Sequence, residues 1–422
     1  MDQNLFNLVR INSLQELLAP EFERPEELAA AARQKGGLLT AIFLVGWSVG
    51  GFLFGILGDR IGRTKTMMLT ILIYSVFTGA SGLARTWETY AATRFLTALG
   101  VGGEWAAGAS LVAEVFPARS RPMALGLLQS FSTVGNMIAA TVTTVLGDLD
   151  ARWRWAYFVG AAPALLVVWI RRNLREPDAW LRARETATVG REMGRVTELF
   201  TDPSLRRKTI AATLMGAAGV GVLWGVAFFS PDLLDEELRR SGSATATGRA
   251  KSIVFFLQQA GGFLGMIAFA PLAERFGRRP TFHFFFAFAW ASVLVFFWTV
   301  AGSGSAAFGR ALLLGPVMGF FTLGIFSGYT VYFPELFPTR LRATGCGFCY
   351  NAARILAAGA PAALGSLGAA LGGYAPAATV VTSVYVLGFV GTLLGPETRG
   401  APLPEDAGTA APGASGNSEG TR

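Results

Sequence analysis

Long apolar segments alternate with short polar loops along almost the whole chain. A helix needs about 20 apolar residues to cross a bilayer, and eleven segments meet this requirement. They lie at residues 37–57, 66–84, 90–114, 123–146, 155–170, 209–230, 252–272, 281–301, 308–331, 343–367 and 375–395. The pattern predicts an all-α integral membrane protein. The Phe-rich run at residues 282–298 is interpreted as a lipid-facing helix surface.

Two loop sequences each occur twice along the chain. GDRIGR at residues 58–63 returns as AERFGR at 273–278, and EVFPARSR at 114–121 returns as ELFPTRLR at 335–342. Both pairs lie at the ends of apolar segments and about half a chain apart, so we infer that a unit of about six spans was duplicated and fused. Internal repeats with a site between the halves are typical of secondary transporters.

The composition supports a membrane protein and argues against cofactor chemistry. The chain of 422 residues is 52% hydrophobic and only 15% charged, with a mean hydropathy of +0.44, which a soluble fold of this length would not tolerate on its surface. Two cysteines and one histidine are too few for a disulfide framework or a His/Cys metal site. We therefore expect no metal and no cofactor and, despite a net charge of +8, no nucleic-acid partner.

The distribution of basic residues predicts the orientation in the membrane. More than half of the Lys and Arg residues lie in the loops 58–65, 117–122, 171–208, 273–280 and 332–342. The loops of the other face hold far fewer basic residues, and acidic residues offset them there. The positive-inside rule places the basic face in the cytoplasm. We therefore expect a multi-pass protein of the bacterial inner membrane with a cytoplasmic C-terminus.

This orientation divides the chain into four parts. Residues 1–170 are predicted to form an N-terminal helix bundle, 171–208 a cytoplasmic connecting loop, 209–395 a C-terminal six-helix bundle and 396–422 a disordered tail. The orientation requires one more span at the start. Residues 2–18 have the length and apolar content of half a span, so the first transmembrane helix is interpreted as truncated by about half. The alternative is an amphipathic helix on the outer surface, because several apolar residues follow helical spacing: Leu5, Leu8, Val9 and Leu14.

Several motifs carry a resemblance to a known family. The loop after the second span matches the pattern G-x-x-x-D-R-x-G-R through Gly55, Asp59, Arg60, Gly62 and Arg63, and its repeat keeps Glu274, Arg275, Gly277 and Arg278. The fourth span matches a sugar-transporter signature through Leu99, Gly102, Leu111, Glu114 and Arg121, with Ala98 where the signature has glycine. Further motifs are GGEW at 102–105, REP at 175–177, GFCYNAARI at 347–355 and PETRG at 396–400.

With these motifs the chain resembles the major facilitator superfamily. Within it, the chain is similar to the branch of sugar porters and metabolite:proton symporters, and GGEW and GFCYNAARI resemble the aromatic-acid and sialic-acid symporters. The resemblance implies two pseudo-symmetric six-helix bundles that give alternating access to a central site. It also implies a carrier rather than an enzyme, with a small-molecule substrate, protons and the lipid bilayer as partners, and we expect a monomer.

The charged loop residues are predicted to form a cytoplasmic gate. Asp59 lies where a helix meets water, and a carboxylate there can pair with arginines and cap a neighbouring helix N-terminus. Matching charges on other loops are expected to complete a latch that forms in one state and breaks in the other. They are Glu114, Arg119, Arg121, Glu335, Arg340 and Arg342. The alternative interpretation is that these charges only fix the topology.

Polar residues inside the spans are the candidates for substrate binding, because a charge near the bilayer centre is costly. Arg354 lies about 18 Å along the helix from Arg342 and hence at mid-depth, where its guanidinium can hold a carboxylate in a bidentate fork. This favours a small organic acid over a neutral sugar. In the competing interpretation Arg354 neutralises Glu104. Further candidates are Gln129, Asn136, Gln258, Gln259, Tyr350 and Asn351.

A proton-coupled carrier needs a carboxylate whose protonation changes with conformation. Asp2 and Arg94 match the first-span aspartate and fourth-span arginine that sugar porters pair for proton coupling. Glu104, at mid-depth beside Trp105, is the rival proton site, and each of these charges could instead be structural. The sequence thus favours proton symport of a small organic anion. A proton-coupled sugar porter, an uncoupled facilitator and a proton-driven exporter stay open.

Overall fold

The structure is a computed structural model that describes residues 13–146, 153–187, 192–242, 247–357, 367–368 and 370–405. All regular elements in these ranges are helical. The first half of the chain forms α1 (Pro25–Ile61), α2 (Arg63–Ser81), α3 (Trp87–Val115), α4 (Arg121–Leu146), α5 (Trp153–Gly160) and α6 (Ala164–Asn173). Two short helices follow in the connecting segment, α7 (Asp178–Glu185) and α8 (Glu198–Thr201).

The second half begins with α9 and repeats the order of long helices seen in the first. It comprises α9 (Pro203–Gly225), α10 (Ser230–Arg240), α11 (Thr247–Phe276), α12 (Arg278–Val300), α13 (Ala307–Leu336), α14 (Arg342–Ala357), α15 (Tyr374–Thr382) and α16 (Tyr385–Leu394). The repeated loop sequences make α1 to α4 the counterparts of α11 to α14.

The predicted spans fall on helices throughout the described part of the chain. Eight helical segments are long and apolar enough to cross a membrane by length and composition. The span predicted at 155–170 is divided into α5 and α6, because Pro163 has no backbone N–H to continue the helical ladder. Of the span predicted at 343–367, residues 358–366 lie outside the described ranges.

The start of the described chain packs into the first half. Residues 13–18 are helical, and Leu14 and Leu18 are fully buried in a cluster with Tyr90 and Trp153. Leu14 therefore belongs to the interior of this half rather than to an outer surface. Asp2, Leu5, Leu8 and Val9 lie outside the described residues.

Glycines allow the closest helix contacts, and they do so at related positions in both halves. A Cβ on Gly50 of α1 would lie 2.0 Å from the Leu99 carbonyl oxygen of α3, and a Cβ on Gly265 of α11 would lie 1.9 Å from the Phe320 carbonyl oxygen of α13. Any larger residue would force these backbones apart. The pairs α1/α3 and α11/α13 are therefore the tightly packed centres of the two bundles.

The lipid-facing interpretation of the Phe-rich helix α12 is wrong for one of its faces. Phe284 and Phe288 are exposed, as a lipid-facing surface requires. The opposite face lies in the core of the second half, against α11 and α13. Its fully buried members are Phe282, Phe285, Phe286, Phe296 and Phe297. The residue type is the same on both faces, so composition alone did not distinguish them.

The two halves meet along two helix pairs, α1 with α14 and α4 with α11. At the end where the repeated loops lie, which we call the motif face and define by Asp59, Glu114, Arg342 and Glu335, the connecting segment packs against this interface. Trp180 of α7 is buried and its Nε1 donates a hydrogen bond to the Asp59 carbonyl oxygen (2.6 Å). The segment between the halves is thus ordered against the motif face where it is described.

Candidate functional site

A cavity of about 490 Å³ lies between the two halves. Helices α1 to α5 line it from the first half, and α9, α11, α13 and α14 from the second. Six aromatic side chains lie in its wall, Trp47, Tyr74, Trp105, Trp224, Phe326 and Tyr350, together with polar side chains such as Gln129 and Asn136. Among the described lining residues only Glu104 and Arg354 carry a charge. A planar apolar molecule with one charged group would fit this lining.

Arg354 is held in the cavity wall by contacts from both halves. Its guanidinium lies 4.0 Å from the centre of the Trp47 ring and 4.8 Å from that of Tyr350, and its Nη1 donates to Asn351 Oδ1 (2.5 Å). The side chain is 3% exposed, its Nε has no hydrogen-bond partner, and no described carboxylate forms an ion pair with it. A buried guanidinium without a carboxylate partner can bind the carboxylate of a ligand.

Glu104 lies in the same cavity but does not neutralise Arg354. Within the described ranges its carboxylate makes no hydrogen bond or ion pair, so the competing interpretation of Arg354 as its ion-pair partner is not what the structure shows. That both charges lie at mid-depth in the membrane stays a prediction. Among the described residues neither charge has an oppositely charged partner.

The predicted polar residues divide between the cavity and the helix interfaces. Gln129 lines the cavity, and its Oε1 accepts from Trp105 Nε1 (3.0 Å) and from Thr330 Oγ1 of the other half (2.9 Å). Asn136 also lines it and donates to Gln259 Oε1 (3.1 Å), again across the halves. These two residues therefore bridge the bundles.

Three predicted binding residues are absent from the described cavity lining. Gln258 Oε1 accepts from Ser230 Oγ (3.3 Å), Gln259 accepts from Asn136, and Asn351 accepts from Arg354. Asn351 therefore positions Arg354 rather than lining the cavity itself. Tyr350, in contrast, does line the cavity and stacks on Trp105 with ring centres 4.3 Å apart.

Arg94 lies inside the first half, away from the cavity lining. Its Nε donates to Ser81 Oγ (2.9 Å), its Nη2 donates to Thr97 Oγ1 (2.9 Å), and its guanidinium lies 4.6 Å from the centre of the Tyr157 ring. The proposed partner Asp2 lies outside the described residues, so the predicted pair stays a prediction. The described contacts give Arg94 a place in a buried polar network.

A buried ion network joins the two halves at the motif face. Arg63 donates to both carboxylate oxygens of Glu114 (3.1 and 2.9 Å), and Arg342 of the other half donates to the same Glu114 (2.8 Å). Asp59 pairs with Arg63 (2.9 Å) and accepts from the backbone N–H groups of Ala343 (3.2 Å) and Thr344 (2.8 Å). All four charged side chains are fully buried.

This network closes the motif face. Asp59 caps α14 of the opposite half, which places a negative charge at the positive end of that helix. Close approach is possible because Gly55 has no side chain, and a Cβ there would lie 2.8 Å from the Ala343 carbonyl oxygen. Because water screens a buried network little, removal of one of its charges costs more than the loss of an exposed pair.

The second half repeats the ion pair but not the contact between halves. Arg278 donates to both oxygens of Glu335 (3.1 and 2.8 Å) as Arg63 does to Glu114. Glu274, the counterpart of Asp59, is 43% exposed and pairs only with Arg278. The counterpart of Ala343 is Pro122, which has no N–H to donate. The latch across the halves therefore forms on one side of the pseudo-symmetry axis.

The other predicted gate residues take different positions. Arg340 pairs with Glu198 of the connecting segment, and Arg60 donates to the Met193 carbonyl oxygen there (3.4 Å). Arg119 and Arg275 are exposed and form no ion pair with the described residues. Arg121 does not pair with Glu335, and its Nε is buried without a partner. Of the predicted gate residues, the described ion network between the halves therefore contains only Asp59, Arg63, Glu114 and Arg342.

Two glutamates cap the helices that follow the repeated loops. They belong to the motifs REP and PETRG. Glu176 accepts from the N–H groups of Thr64 (3.2 Å) and Lys65 (3.1 Å), and Glu397 from those of Arg278 (2.8 Å) and Arg279 (3.0 Å). The glycines between the helices, Gly62 and Gly277, have φ of 115° and 101°, so any other residue there would be strained. The caps fix the start of α2 and α12.

Glu397→Gln is expected to lower the stability of the protein by about 0.5–1 kcal/mol at neutral pH, as for loss of a partly exposed cap. Partial burial alone would raise the pKa of Glu397, but four backbone N–H groups outweigh it and hold the pKa below its usual value. The cap therefore contributes stability above the unfolded pKa of about 4.3 and loses it as pH falls through the folded pKa.

Thermal unfolding of the purified protein in detergent, followed as a function of pH, measures this contribution. The gap in midpoint between wild type and Glu397→Gln should shrink below about pH 4.3. The exposed Glu405→Gln serves as the control and should unfold like wild type. A gap that stays constant with pH would show that Glu397 does not stabilise the fold through its charge.

Comparison with known proteins decides the family. The profile of the Major Facilitator Superfamily matches residues 17–361. The probable 4-methylmuconolactone transporter of Cupriavidus pinatubonensis is 31% identical over 367 residues, which cover 86% of this chain and 82% of that protein. The chain belongs to the major facilitator superfamily. This confirms the predicted all-α fold of two helix bundles and a multi-pass membrane transporter of small molecules rather than an enzyme.

Other members of the superfamily are also similar to this chain. The cis,cis-muconate transport protein of Acinetobacter baylyi is 29% identical, with 79% of this chain and 78% of that protein covered. The solved structure of the major facilitator proton:xylose symporter XylE matches with a TM-score of 0.72 at 17% identity, covering 95% of this chain and 94% of that one. At this identity the structural match concerns the fold alone.

The cavity therefore lies between the two bundles, and the motif-face network joins them at one end. Sequence reasoning missed most of the aromatic wall, in particular Trp47 and Trp224, whose rings meet edge to face across the halves (6.5 Å). Tryptophans within apolar segments were the available signal. It was not specific, because tryptophan is also common at membrane interfaces.

Proposed function

We propose that this superfamily member is a proton symporter that imports a small, planar organic carboxylate across the bacterial inner membrane. The observation that carries the proposal is the buried Arg354, which faces the cavity without a described carboxylate partner. A guanidinium that stacks on Trp47 and Tyr350 can bind a carboxylate while the aromatic wall packs against the flat body of the same molecule. A neutral sugar would leave the buried charge of Arg354 without a counter-charge.

The names of two relatives support a carboxylate or lactone substrate. One is a probable 4-methylmuconolactone transporter and another a cis,cis-muconate transport protein. Muconate is a conjugated dicarboxylate, and a muconolactone carries one carboxylate on a small lactone ring, so each offers a carboxylate to Arg354. These substrates belong to the relatives, and the cavity of this chain has the charge and the aromatic lining that such compounds need.

Tryptophan fluorescence of the purified protein tests binding directly, since Trp47, Trp105 and Trp224 line the cavity. We expect muconate or benzoate to quench the fluorescence with saturation and xylose to leave it unchanged. Arg354→Gln should abolish the quenching by acids. Saturable quenching by xylose alone would instead support a sugar porter.

We infer that Glu104 carries the coupled proton. It is the one acidic side chain among the described cavity residues, and it lies beside Trp105, whose stacking on Tyr350 links the halves. A rearrangement of the bundles therefore changes its surroundings and with them its protonation. From the basic loops we expect the motif face to lie in the cytoplasm, and the closed network then corresponds to a state without access to the cytoplasm.

Glu104→Gln is expected to separate substrate transport from proton movement. In liposomes that contain a pH-sensitive dye, the wild type should acidify the lumen when an acid substrate is added, and Glu104→Gln should not. The same variant should still exchange labelled substrate for unlabelled substrate, because exchange needs no net proton transfer. Unchanged acidification in Glu104→Gln would exclude this residue as the proton site.

A further inference from the structure

A second cavity, of about 420 Å³, lies outside the transport path. It opens where α11 ends, α12 begins and the chain leaves α16, so that three membrane helices end around it. Its polar lining consists of Arg279, His283, Glu397 and Arg399, with Phe276 and Pro280 as apolar neighbours. The transport mechanism uses none of the basic groups in this cavity.

The balance of charge in this cavity is positive. The carboxylate of Glu397 is occupied by the backbone N–H groups of Arg278, Arg279 and Thr398, among others, and is therefore not available to the basic side chains. Arg399 is exposed, and its side chain forms no ion pair or hydrogen bond in the described part of the chain. The Nε2 of His283 is buried and also has no partner.

Arg279 is fixed as one wall of the cavity. Its Nε donates to the Thr392 carbonyl oxygen (3.1 Å) and its Nη2 reaches the Leu393 carbonyl oxygen (3.4 Å), both near the end of α16. These bonds hold the guanidinium in place but use only part of its donors, because a guanidinium carries five N–H groups. A rigid cation with remaining donors is suited to bind an anion.

The repeat provides an internal comparison. The corresponding positions in the first half, aligned through Arg63 and Arg278 and through Glu176 and Glu397, are occupied by uncharged or acidic residues. Arg279, His283 and Arg399 correspond to Thr64, Met68 and Asp178. The helix caps are common to both halves, whereas the basic set is confined to the second. The basic residues therefore serve something other than the shared architecture.

We propose that Arg279 and Arg399 bind a phosphate group. Arginine forks match phosphate oxygens, and His283 lines the same cavity, where its Nε2 donates a further hydrogen bond only when the imidazole is protonated. The site lies at the ends of membrane helices, and Phe276, which is 54% exposed, stands beside it as a contact for an acyl chain. The headgroup of an anionic phospholipid and a free inorganic phosphate share the chemistry of this site.

Native mass spectrometry of the full chain in detergent tests the proposal, with phosphatidylglycerol as the anionic lipid and phosphatidylcholine as the zwitterionic reference. Arg399→Ser is expected to weaken binding of phosphatidylglycerol about fivefold, the effect of about 1 kcal/mol per basic residue. Lys65→Gln, in the matching turn of the first half, removes an equal charge and should leave binding unchanged.

Adding millimolar inorganic phosphate distinguishes the two sources of the phosphate group. Phosphatidylglycerol that stays bound identifies a lipid site, and phosphatidylglycerol that is displaced in the wild type identifies a site for free phosphate; both results support the proposal. Equal binding by wild type and Arg399→Ser would overturn it. An equal loss in Lys65→Gln and Arg399→Ser would also overturn it, since it would indicate unspecific attraction to a basic surface.

Discussion

Replacement of Arg354 with glutamine is expected to lower the uptake of an organic acid by about 30-fold or more. Removing one partner of a buried, hydrogen-bonded charge pair costs about 2–5 kcal/mol, and each 1.4 kcal/mol is a tenfold change. In the free protein Arg354 has no carboxylate to lose among the described residues, so the cost falls on the bound state. Initial uptake rates in proteoliposomes measure the effect, with labelled benzoate or muconate as substrate.

Two control variants separate substrate recognition from damage to the fold. Arg354→Lys keeps the charge but loses the planar fork and the stacking on Trp47, so it should retain only part of the uptake. Gln258→Leu changes a buried polar residue outside the described cavity lining and should transport nearly as well as wild type. Uptake by Arg354→Gln at the level of Gln258→Leu would remove Arg354 from the substrate site.

Glu114→Gln is expected to open the motif face. Its carboxylate binds Arg63 of its own half and Arg342 of the other, and removing one charge from a buried network costs about 3–5 kcal/mol. Since part of this cost falls on the bond across the halves, the population with an open motif face should rise by at least about tenfold. Hydrogen exchange of the amides at the start of α14, Ala343 and Thr344, reports the opening, because Asp59 accepts their hydrogen bonds when the face is closed.

The internal repeat supplies a matched control for this experiment. Glu335→Gln breaks the corresponding pair with Arg278, and the other bond of Glu335 goes to Thr398, also in the second half. This variant loses a buried ion pair without loss of a described hydrogen bond or ion pair between the halves. It should therefore leave the exchange of Ala343 and Thr344 unchanged. Faster exchange in both variants would mean that the network stabilises the fold rather than the closed state.

The fold could be predicted from the sequence because it depends on properties that single segments display. Spans of apolar residues and repeated loops determine the number of helices and the two halves. That Arg354 and Glu104 line one cavity agrees with the positions that the rise of a helix predicts for them, which needs no knowledge of neighbours. The sequence also carries a sign of the asymmetry between the repeats, since Pro122 is the counterpart of Ala343.

The part of the site that the sequence did not predict depends on the rotation of each helix against its neighbours. Gln258 and Gln259 are adjacent in a span, and whether either faces the cavity is decided by how α11 packs on α4 and α13. The stacking of Trp47 of the first half on Arg354 of the second is likewise a contact between distant parts of the chain. The bond between Glu198 and Arg340 requires the path of the connecting segment, for which the sequence has no periodic signal.

Side-by-side uptake of a labelled planar acid and labelled xylose, in proteoliposomes with an inward proton gradient, tests the central claim most directly. If the protein is a proton symporter of organic acids, benzoate or muconate should accumulate in a way that depends on the gradient and on Arg354, and xylose should not accumulate. Accumulation of xylose with no uptake of either acid would contradict it and would place the substrate among neutral sugars.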